Sequence, residues 1–205
     1  MTNLAAAYRH LRKDPAMKEI ILHTGRLETT GHKDLFTALL RSIVSQQLSG
    51  KAADTIWSRF IQLFPHHQPT AESILRLDSE VLRNAGLSYQ KAGYLQNIAR
   101  FSLEETLEYR RLYRKTDEAL IEYLTSIKGV GRWTVEMILI FTLNRPDVFP
   151  VDDLGIQQAM MMKFGIRKKG KELKSEMIAI SERWAPYRSL ATRHLWKWKD
   201  TQKHA

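Results

Sequence analysis

The amino-acid sequence predicts an all-α protein. Apolar residues recur at three- and four-residue spacing through most of the 205-residue chain, a pattern that is typical of amphipathic helices. No stretch shows a sustained alternation of apolar and polar residues, so we expect no β-sheet. Capping residues and prolines divide the apolar patterns into short segments. These three observations together predict a series of short helices joined by loops.

Each predicted helix is bounded by residues that favour helix starts or stops. Starts are expected at a capping side chain or a new apolar pattern, at residues 3, 15, 34, 53, 70, 78, 89, 103 and 116. Stops are expected at Asp14-Pro15, residues 23–33, Ser49-Gly50, Pro65 and Asn84-Ala85-Gly86. The segment from Leu103 to Tyr113 is expected to be helical or nearly so. Beyond residue 152, helices are expected near residues 153–164, 172–184 and 187–199.

Two glycines separate a pair of predicted helices within the segment LTSIKGVGRWTV, residues 124–135. Gly129 and Gly131 bracket Val130, so the main chain can adopt positive φ there and a ligand can approach it closely. The second helix then begins with unpaired amides, which suit a phosphate oxygen. A tight turn between two helices is an alternative explanation of the same glycines.

An extended stretch of eight residues, Arg145 to Asp152, follows the second of these helices and contains Pro146 and Pro150. It leads to two adjacent carboxylates, Asp152 and Asp153, which precede another apolar helical pattern. Aspartate is a favoured helix cap, so from the spacing alone either residue could cap that helix.

The charge of the chain predicts a polyanionic partner. Lysine and arginine number 32 against 22 acidic residues, which gives a formal net charge of +10. From Lys163 onward there are twelve basic and four acidic residues, so this last fifth carries +8 of that charge. Together with the glycine hairpin, this concentration of positive charge favours nucleic-acid binding.

The composition excludes several classes of site. Cysteine is absent, so the chain has no disulfide, no thiolate nucleophile and no cysteine-ligated zinc or iron–sulfur cluster. No apolar run reaches the length of a membrane span, and the N-terminal residues lack the apolar core of a signal peptide. We therefore expect a cytoplasmic protein associated with the nucleoid, or a nuclear one if the source is eukaryotic.

The segment 124–135, followed by VFPVDD at residues 148–153, resembles the helix-hairpin-helix (HhH-GPD) DNA glycosylase superfamily. Two further segments, residues 41–49 and 184–196, are similar to the first and last core helices of its alkylated-base branch, 3-methyladenine DNA glycosylase II. The resemblance implies a monomer with a two-lobed helical fold and a DNA-binding cleft between the lobes.

The resemblance also implies how the chain is divided. Residues 1–205 would form a single glycosylase domain. One lobe would span about residues 35–145, including the hairpin at 124–134, and the other would combine residues 1–34 with 146–205. The extended stretch would carry the chain from one lobe to the other.

The resemblance assigns catalysis to the second carboxylate. Asp153 follows Trp133 by twenty residues, as the family motif requires, and Asp152 would then be the helix cap. Breaking an N-glycosidic bond builds positive charge on the sugar, which a nearby carboxylate stabilises. Family members that also cut the strand carry a lysine at the position of Trp133, so this chain is expected to use water and to lack lyase activity.

The resemblance further implies residues that hold the DNA and the base. The pocket would contain Trp133, Met137, Leu154 and Tyr187, with an aromatic ring stacking on a cationic purine. Gln47 would fill the gap left by the extruded base, assisted by Gln46. Contacts with the DNA backbone are expected from Ser49, Lys128, Gly129, Val130, Gly131, Arg132 and Thr134. The remaining tryptophans are expected to be structural; they are Trp57, Trp184, Trp196 and Trp198.

The predicted function is that of a monofunctional DNA glycosylase acting on double-stranded DNA. It would excise alkylated purines, 3-methyladenine and also 7-methylguanine, in base-excision repair. No cofactor is expected to be required, although the main-chain carbonyls of Ile127 and Val130 could hold a monovalent cation at the hairpin. Two alternatives remain, which are a helix-hairpin-helix module that only binds DNA and a glycosylase for a deaminated or oxidised base.

Overall fold

The computed structural model describes residues 4–28, 34–48, 50–105 and 107–202, and every regular element within them is helical, which confirms the predicted class. None of the described helices is both long and apolar enough to cross a membrane. In chain order the α-helices are α1 (Leu4–Leu11), α2 (Pro15–Thr24), α3 (Leu35–Ser45), α4 (Gly50–Ile61), α5 (Ala71–Arg76), α6 (Ser79–Asn84), α7 (Tyr89–Glu104), α8 (Tyr109–Leu112), α9 (Asp117–Thr125), α10 (Arg132–Met137), α11 (Leu154–Phe164), α12 (Gly170–Ser181) and α13 (Arg188–Gln202).

The chain folds as two compact units. The first unit contains α1 and α2 together with α11, α12 and α13. The second contains α3 to α10 and ends with a π-helical turn, Ile138–Thr142, that continues α10. The extended stretch after that turn belongs to the first unit.

The core of the first unit forms around Trp184, which is fully buried. Apolar side chains from α1, α2, α11, α12 and α13 belong to the same buried cluster. Asp14 connects this core to the start of α2, because its Oδ1 accepts the N–H of Met17 and its Oδ2 accepts the Trp184 indole N–H at 3.2 Å. The predictions that Asp14 caps α2 and that Trp184 is structural are both confirmed.

His194 is the one histidine among the described residues whose side chain is fully buried, at 0 % exposure. Its Nδ1 lies 2.6 Å from Thr24 Oγ1, and its Nε2 has no hydrogen-bond partner among the described residues. Burial, with help from the nearby charges of Arg193, Lys197 and Arg12, lowers the pKa of His194 to about 4. The imidazole is therefore neutral in the folded protein at neutral pH.

Folding stability is expected to decrease below about pH 6.5, where histidine in the unfolded chain takes up a proton that folded His194 does not. The loss at pH 5 should be about 2 kcal/mol relative to pH 7.5. Denaturant unfolding at the two pH values measures it. His194→Asn, which can keep the bond to Thr24, should remove most of this dependence, whereas His23→Gln should not. If the stability of His194→Asn depends on pH as strongly as that of the wild type, His194 is not the source of this pH dependence.

The second unit differs from the sequence prediction at two helix ends. α3 ends at Ser45 rather than at Ser49-Gly50, because Gln46 leaves the helical conformation with ψ of 131° and Gln47 then adopts φ of +58°. Gly50 is accordingly the first residue of α4, not a stop, and Ser49 lies outside the described residues. The chain also leaves the helix at Glu105, whose φ and ψ are extended, so the predicted segment 103–113 is divided between the last two residues of α7 and the short helix α8.

Candidate active site

The hairpin between α9 and α10 is closed by a hydrogen bond from the Val130 N–H to the Ile127 carbonyl oxygen, at 2.9 Å. Gly129 has φ of +104°, and a Cβ there would lie 2.2 Å from Cγ of Tyr94. Gly131 has φ of −93°, and a Cβ there would meet nothing within 4 Å. The predicted need for glycine is thus correct at residue 129, but the positive φ predicted at residue 131 is wrong.

Helix α7 supports the hairpin with one face. The Tyr94 ring lies against Gly129, and the Asn97 side-chain amide donates to the Lys128 carbonyl oxygen at 3.1 Å. The Lys128 side chain is exposed, whereas Val130 is buried. The Val130 N–H already donates to the Ile127 carbonyl oxygen, so a phosphate contact by Val130 would have to share that N–H.

The two polar residues at the start of α10 have different surroundings. Arg132 is exposed and forms salt bridges with Glu118, at 2.8 Å, and with Glu136, at 3.3 Å. A phosphate bound by Arg132 would compete with these carboxylates. Thr134 is only 1 % exposed, and its hydroxyl accepts a hydrogen bond from the Gln46 side chain. Only the main-chain N–H of Thr134 is suited to a contact with DNA.

The turn after α3 is held on both sides. Gln46 donates its side-chain amide to Thr134 Oγ1 at 3.1 Å, with a longer contact of 3.5 Å to the Gly129 carbonyl. Lys91 of α7 donates its ammonium group to the main-chain oxygens of Val44 and Gln46, both at 2.8 Å. Burial lowers the pKa of Lys91. Gln46 therefore anchors the turn, and Gln47 next to it presents an exposed side chain.

Asp153, not Asp152, is the cap of α11, which corrects the prediction. Asp153 has the extended main-chain conformation of a cap residue, and its Oδ1 accepts the Ile156 N–H at 2.8 Å. Asp152 is exposed and forms a salt bridge with Lys174 of α12. The reason is geometric: a bond from the Asp153 N–H to the Pro150 carbonyl closes a turn, and the helix begins only after it.

The same Asp153 oxygen also accepts the indole N–H of Trp196, at 2.8 Å. Trp196 is predicted from the sequence to be structural; the contact with Asp153 has no local sequence signal, because the two residues are 43 positions apart. Gly155 lies beside the pair; a Cβ there would be 3.0 Å from Asp153 Oδ1 and 3.1 Å from Trp196 Cδ1. The carboxylate is partly buried and lies at the N-terminus of α11.

The stretch that leads to Asp153 is fixed to the start of α13. Arg188 donates two side-chain hydrogen bonds to the Asp147 carboxylate, both at 2.7 Å. Ser189 adds a main-chain bond to the Pro146 oxygen and a hydroxyl that accepts the Val148 N–H. Burial raises the pKa of Asp147, but the bonds from Arg188 outweigh it and hold that pKa below its usual value. These bonds attach the segment that precedes Asp153 to the first residues of α13.

The residues predicted to line the base pocket are divided between the two units. Trp133 and Met137 are partly buried in the second unit, one helical turn apart on α10. Tyr187 of the first unit is partly buried and packs edge-on against the His10 ring. Leu154 is 67 % exposed, so it makes little contact within its own unit.

Metal ligands of the usual kind do not cluster in the part of the chain described. No group of three or more histidine, aspartate or glutamate side chains has an arrangement that could hold a metal ion there. The Ile127 carbonyl accepts the Val130 N–H and keeps a second lone pair, which leaves it able to contribute to a monovalent cation site.

Comparison with known proteins places the chain in a family. Residues 40–186 match the model of the HhH-GPD superfamily base excision DNA repair proteins. DNA-3-methyladenine glycosylase 1 of Schizosaccharomyces pombe is 37 % identical over 203 residues, which cover 96 % of this chain and 88 % of that protein.

Solved structures agree with this placement. The 3-methyladenine DNA glycosylase of S. pombe, in complex with abasic DNA, has a TM-score of 0.85 at 38 % identity and covers 94 % of this chain and 95 % of that one. A DNA-3-methyladenine glycosidase from Bacillus halodurans has a TM-score of 0.79 at 33 % identity and covers 95 % and 89 %. The chain belongs to the HhH-GPD superfamily of base excision DNA repair proteins.

Proposed function

We propose that this protein is a DNA glycosylase that releases alkylated purines, 3-methyladenine above all, from double-stranded DNA in base-excision repair. The observation that carries the proposal is the partly buried Asp153 carboxylate, held by two N–H donors at the start of α11. The related glycosylases named above act on 3-methyladenine, as their names state. The reaction would take place wherever the cell keeps its DNA, and the protein would act as a monomer.

Asp153 supplies negative charge to the reacting sugar. When the C1′–N bond breaks, its electron pair leaves with the base, and the sugar becomes an oxocarbenium-like cation. An alkylated purine is already cationic and departs as a neutral base, so charge stabilisation of the sugar is the main requirement. Water then adds at C1′ and loses a proton, which leaves an abasic site. Asp153 could also orient that water.

The second half of the proposal concerns the reaction subtype. Trp133 stands where strand-cutting relatives carry a lysine, and an indole cannot form a Schiff base with the sugar. Its ring could instead stack on a cationic base, a contact worth about 0.5–2 kcal/mol. We therefore propose hydrolysis without lyase activity, with Met137, Leu154 and Tyr187 completing the base pocket.

The hairpin and the turn after α3 would hold the DNA. The main-chain amides of Gly129 and of residues 131–134, together with the exposed Lys128, suit phosphate oxygens. Gln47 presents an exposed side chain from an anchored turn, which suits insertion into the gap left by an extruded base. A monovalent cation bound by the carbonyls of Ile127 and Val130 would add positive charge at the hairpin.

Incubation with duplex DNA treated with a methylating agent tests the proposal. We expect chromatography to show free 3-methyladenine above the spontaneous rate, with the strands intact until alkali cleaves the abasic sites. Binding without base release would instead support a DNA-binding module. Release of a deaminated or oxidised base alone would contradict the proposed substrate, and strand cleavage without alkali would contradict the absence of lyase activity.

A further inference from the structure

The indole N–H of Trp196 reaches the carboxylate on which the proposed function depends. It donates to Asp153 Oδ1 at 2.8 Å, and the Ile156 main-chain N–H donates to the same oxygen at the same distance. A cap bond alone leaves a carboxylate able to turn about its Cβ–Cγ bond. Two donors that approach one oxygen from different elements, α11 and α13, define the plane of the group.

Gly155 provides the space in which this contact forms. A Cβ at residue 155 would lie 3.0 Å from Asp153 Oδ1, 3.1 Å from Trp196 Cδ1 and 3.2 Å from Trp196 Nε1. These distances are tighter than about nine in ten real Cβ contacts, so either the carboxylate or the indole would have to move by a few tenths of an ångström. The main chain itself does not need glycine here, because φ is not positive.

We propose that Trp196 is a positioning residue for Asp153 and that Gly155 permits it, an inference that rests on the proposed function. Hydrogen bonds to an ionised acceptor are short and strong, and this one holds the carboxylate in the orientation that meets the developing sugar cation. The indole does not touch the substrate in this role. Its contribution is to make the negative charge of Asp153 available at one fixed place.

The test compares two DNA duplexes that differ in charge at the sugar position. One contains a protonated pyrrolidine nucleotide, which resembles the sugar cation, and the other contains neutral tetrahydrofuran. The wild-type protein is expected to prefer the cationic duplex. Trp196→Phe keeps an aromatic ring but lacks the donor, and it should reduce this preference and the single-turnover rate of base release by at least about tenfold each. Affinity for the neutral duplex should stay within about twofold.

Two further variants separate positioning from packing. Gly155→Ala keeps the indole and favours the helix, yet it should cause a selective loss in the same direction, because its Cβ forces the carboxylate or the indole to shift. Trp198→Phe makes the same chemical change two residues along α13, where the ring packs near Lys163, and it should leave the preference unchanged. If Trp196→Phe does not fold, Gly155→Ala carries the test.

The outcomes distinguish this inference from the proposed function. A wild-type protein that neither releases methylated bases nor prefers the cationic duplex would refute both. A wild-type protein that does both, together with a Trp196→Phe variant that keeps the full preference, would refute only the positioning role. Equal losses in Trp196→Phe and Trp198→Phe, on both duplexes, would show that the indole acts through packing and would also overturn it.

Discussion

Asp153→Asn is expected to lower the single-turnover rate of 3-methyladenine release by at least about 100-fold, the typical cost of removing one preorganised electrostatic group. Affinity for duplex DNA should change by less than about twofold, since removing a carboxylate takes away no phosphate contact. Asparagine is a good helix cap, and its amide oxygen can still accept from Ile156 and Trp196. The substitution thus removes the charge while keeping the local structure.

The adjacent Asp152 gives a matched control for this experiment. Asp152→Asn makes the same change at an exposed carboxylate whose salt bridge with Lys174 lies on the surface, where such pairs contribute about 0–1 kcal/mol. Its rate of base release should equal that of the wild type. Equal activity of the Asp153→Asn variant would mean that the carboxylate does not stabilise the sugar cation, and the catalytic assignment would have to be abandoned.

Gly129→Ala is expected to have the largest effect on the hairpin. The new Cβ would lie 2.2 Å from Tyr94 Cγ, and alanine would also have to adopt φ of +104°. Main-chain strain of this kind costs about 1–3 kcal/mol, so the free energy of unfolding should fall by at least that amount. Displacement of the hairpin should weaken binding to undamaged duplex DNA by about tenfold or more, because several backbone contacts would be lost together. Thermal unfolding and a binding titration measure the two effects.

Gly93→Ala is the control for that variant. Gly93 lies in α7 directly before Tyr94, and a Cβ there would meet nothing within 4 Å. Alanine should stabilise the helix by up to about 1 kcal/mol and leave DNA binding unchanged. If Gly129→Ala melts and binds DNA as Gly93→Ala does, the hairpin does not depend on the contact between Gly129 and Tyr94.

Sequence patterns predicted those features whose causes lie within a few neighbouring residues. The start of α2 follows from Asp14 and Pro15, and Thr116 accepts the Ala119 N–H at the start of α9, as its position predicts. The left-handed conformation at Gly129 has an equally local signal. The sequence has no comparable signal for the choice between Asp152 and Asp153 as cap. Both residues have the same side chain, and only the turn from Pro150 decides between them.

Contacts between distant residues could not be predicted in this way. Trp196 and Asp153 are 43 residues apart, and Gln46 and Thr134 are 88 residues apart. A tryptophan on an amphipathic helix has the same sequence signature whether it fills a core or donates to a carboxylate. The end of α3 lacks a local signal for a similar reason, since Lys91 of α7 binds the carbonyl oxygens of Val44 and Gln46 on either side of it.

Helix α7 contacts the end of α3 through Lys91 and the hairpin through Tyr94 and Asn97. These three residues follow one another at three-residue intervals. Residues with that spacing share one side of a helix. An insertion or deletion of one residue between them would rotate the later attachments by about 100° and carry them away from their partners. The length of this helix should therefore tolerate far less change than the identity of its outward-facing side chains.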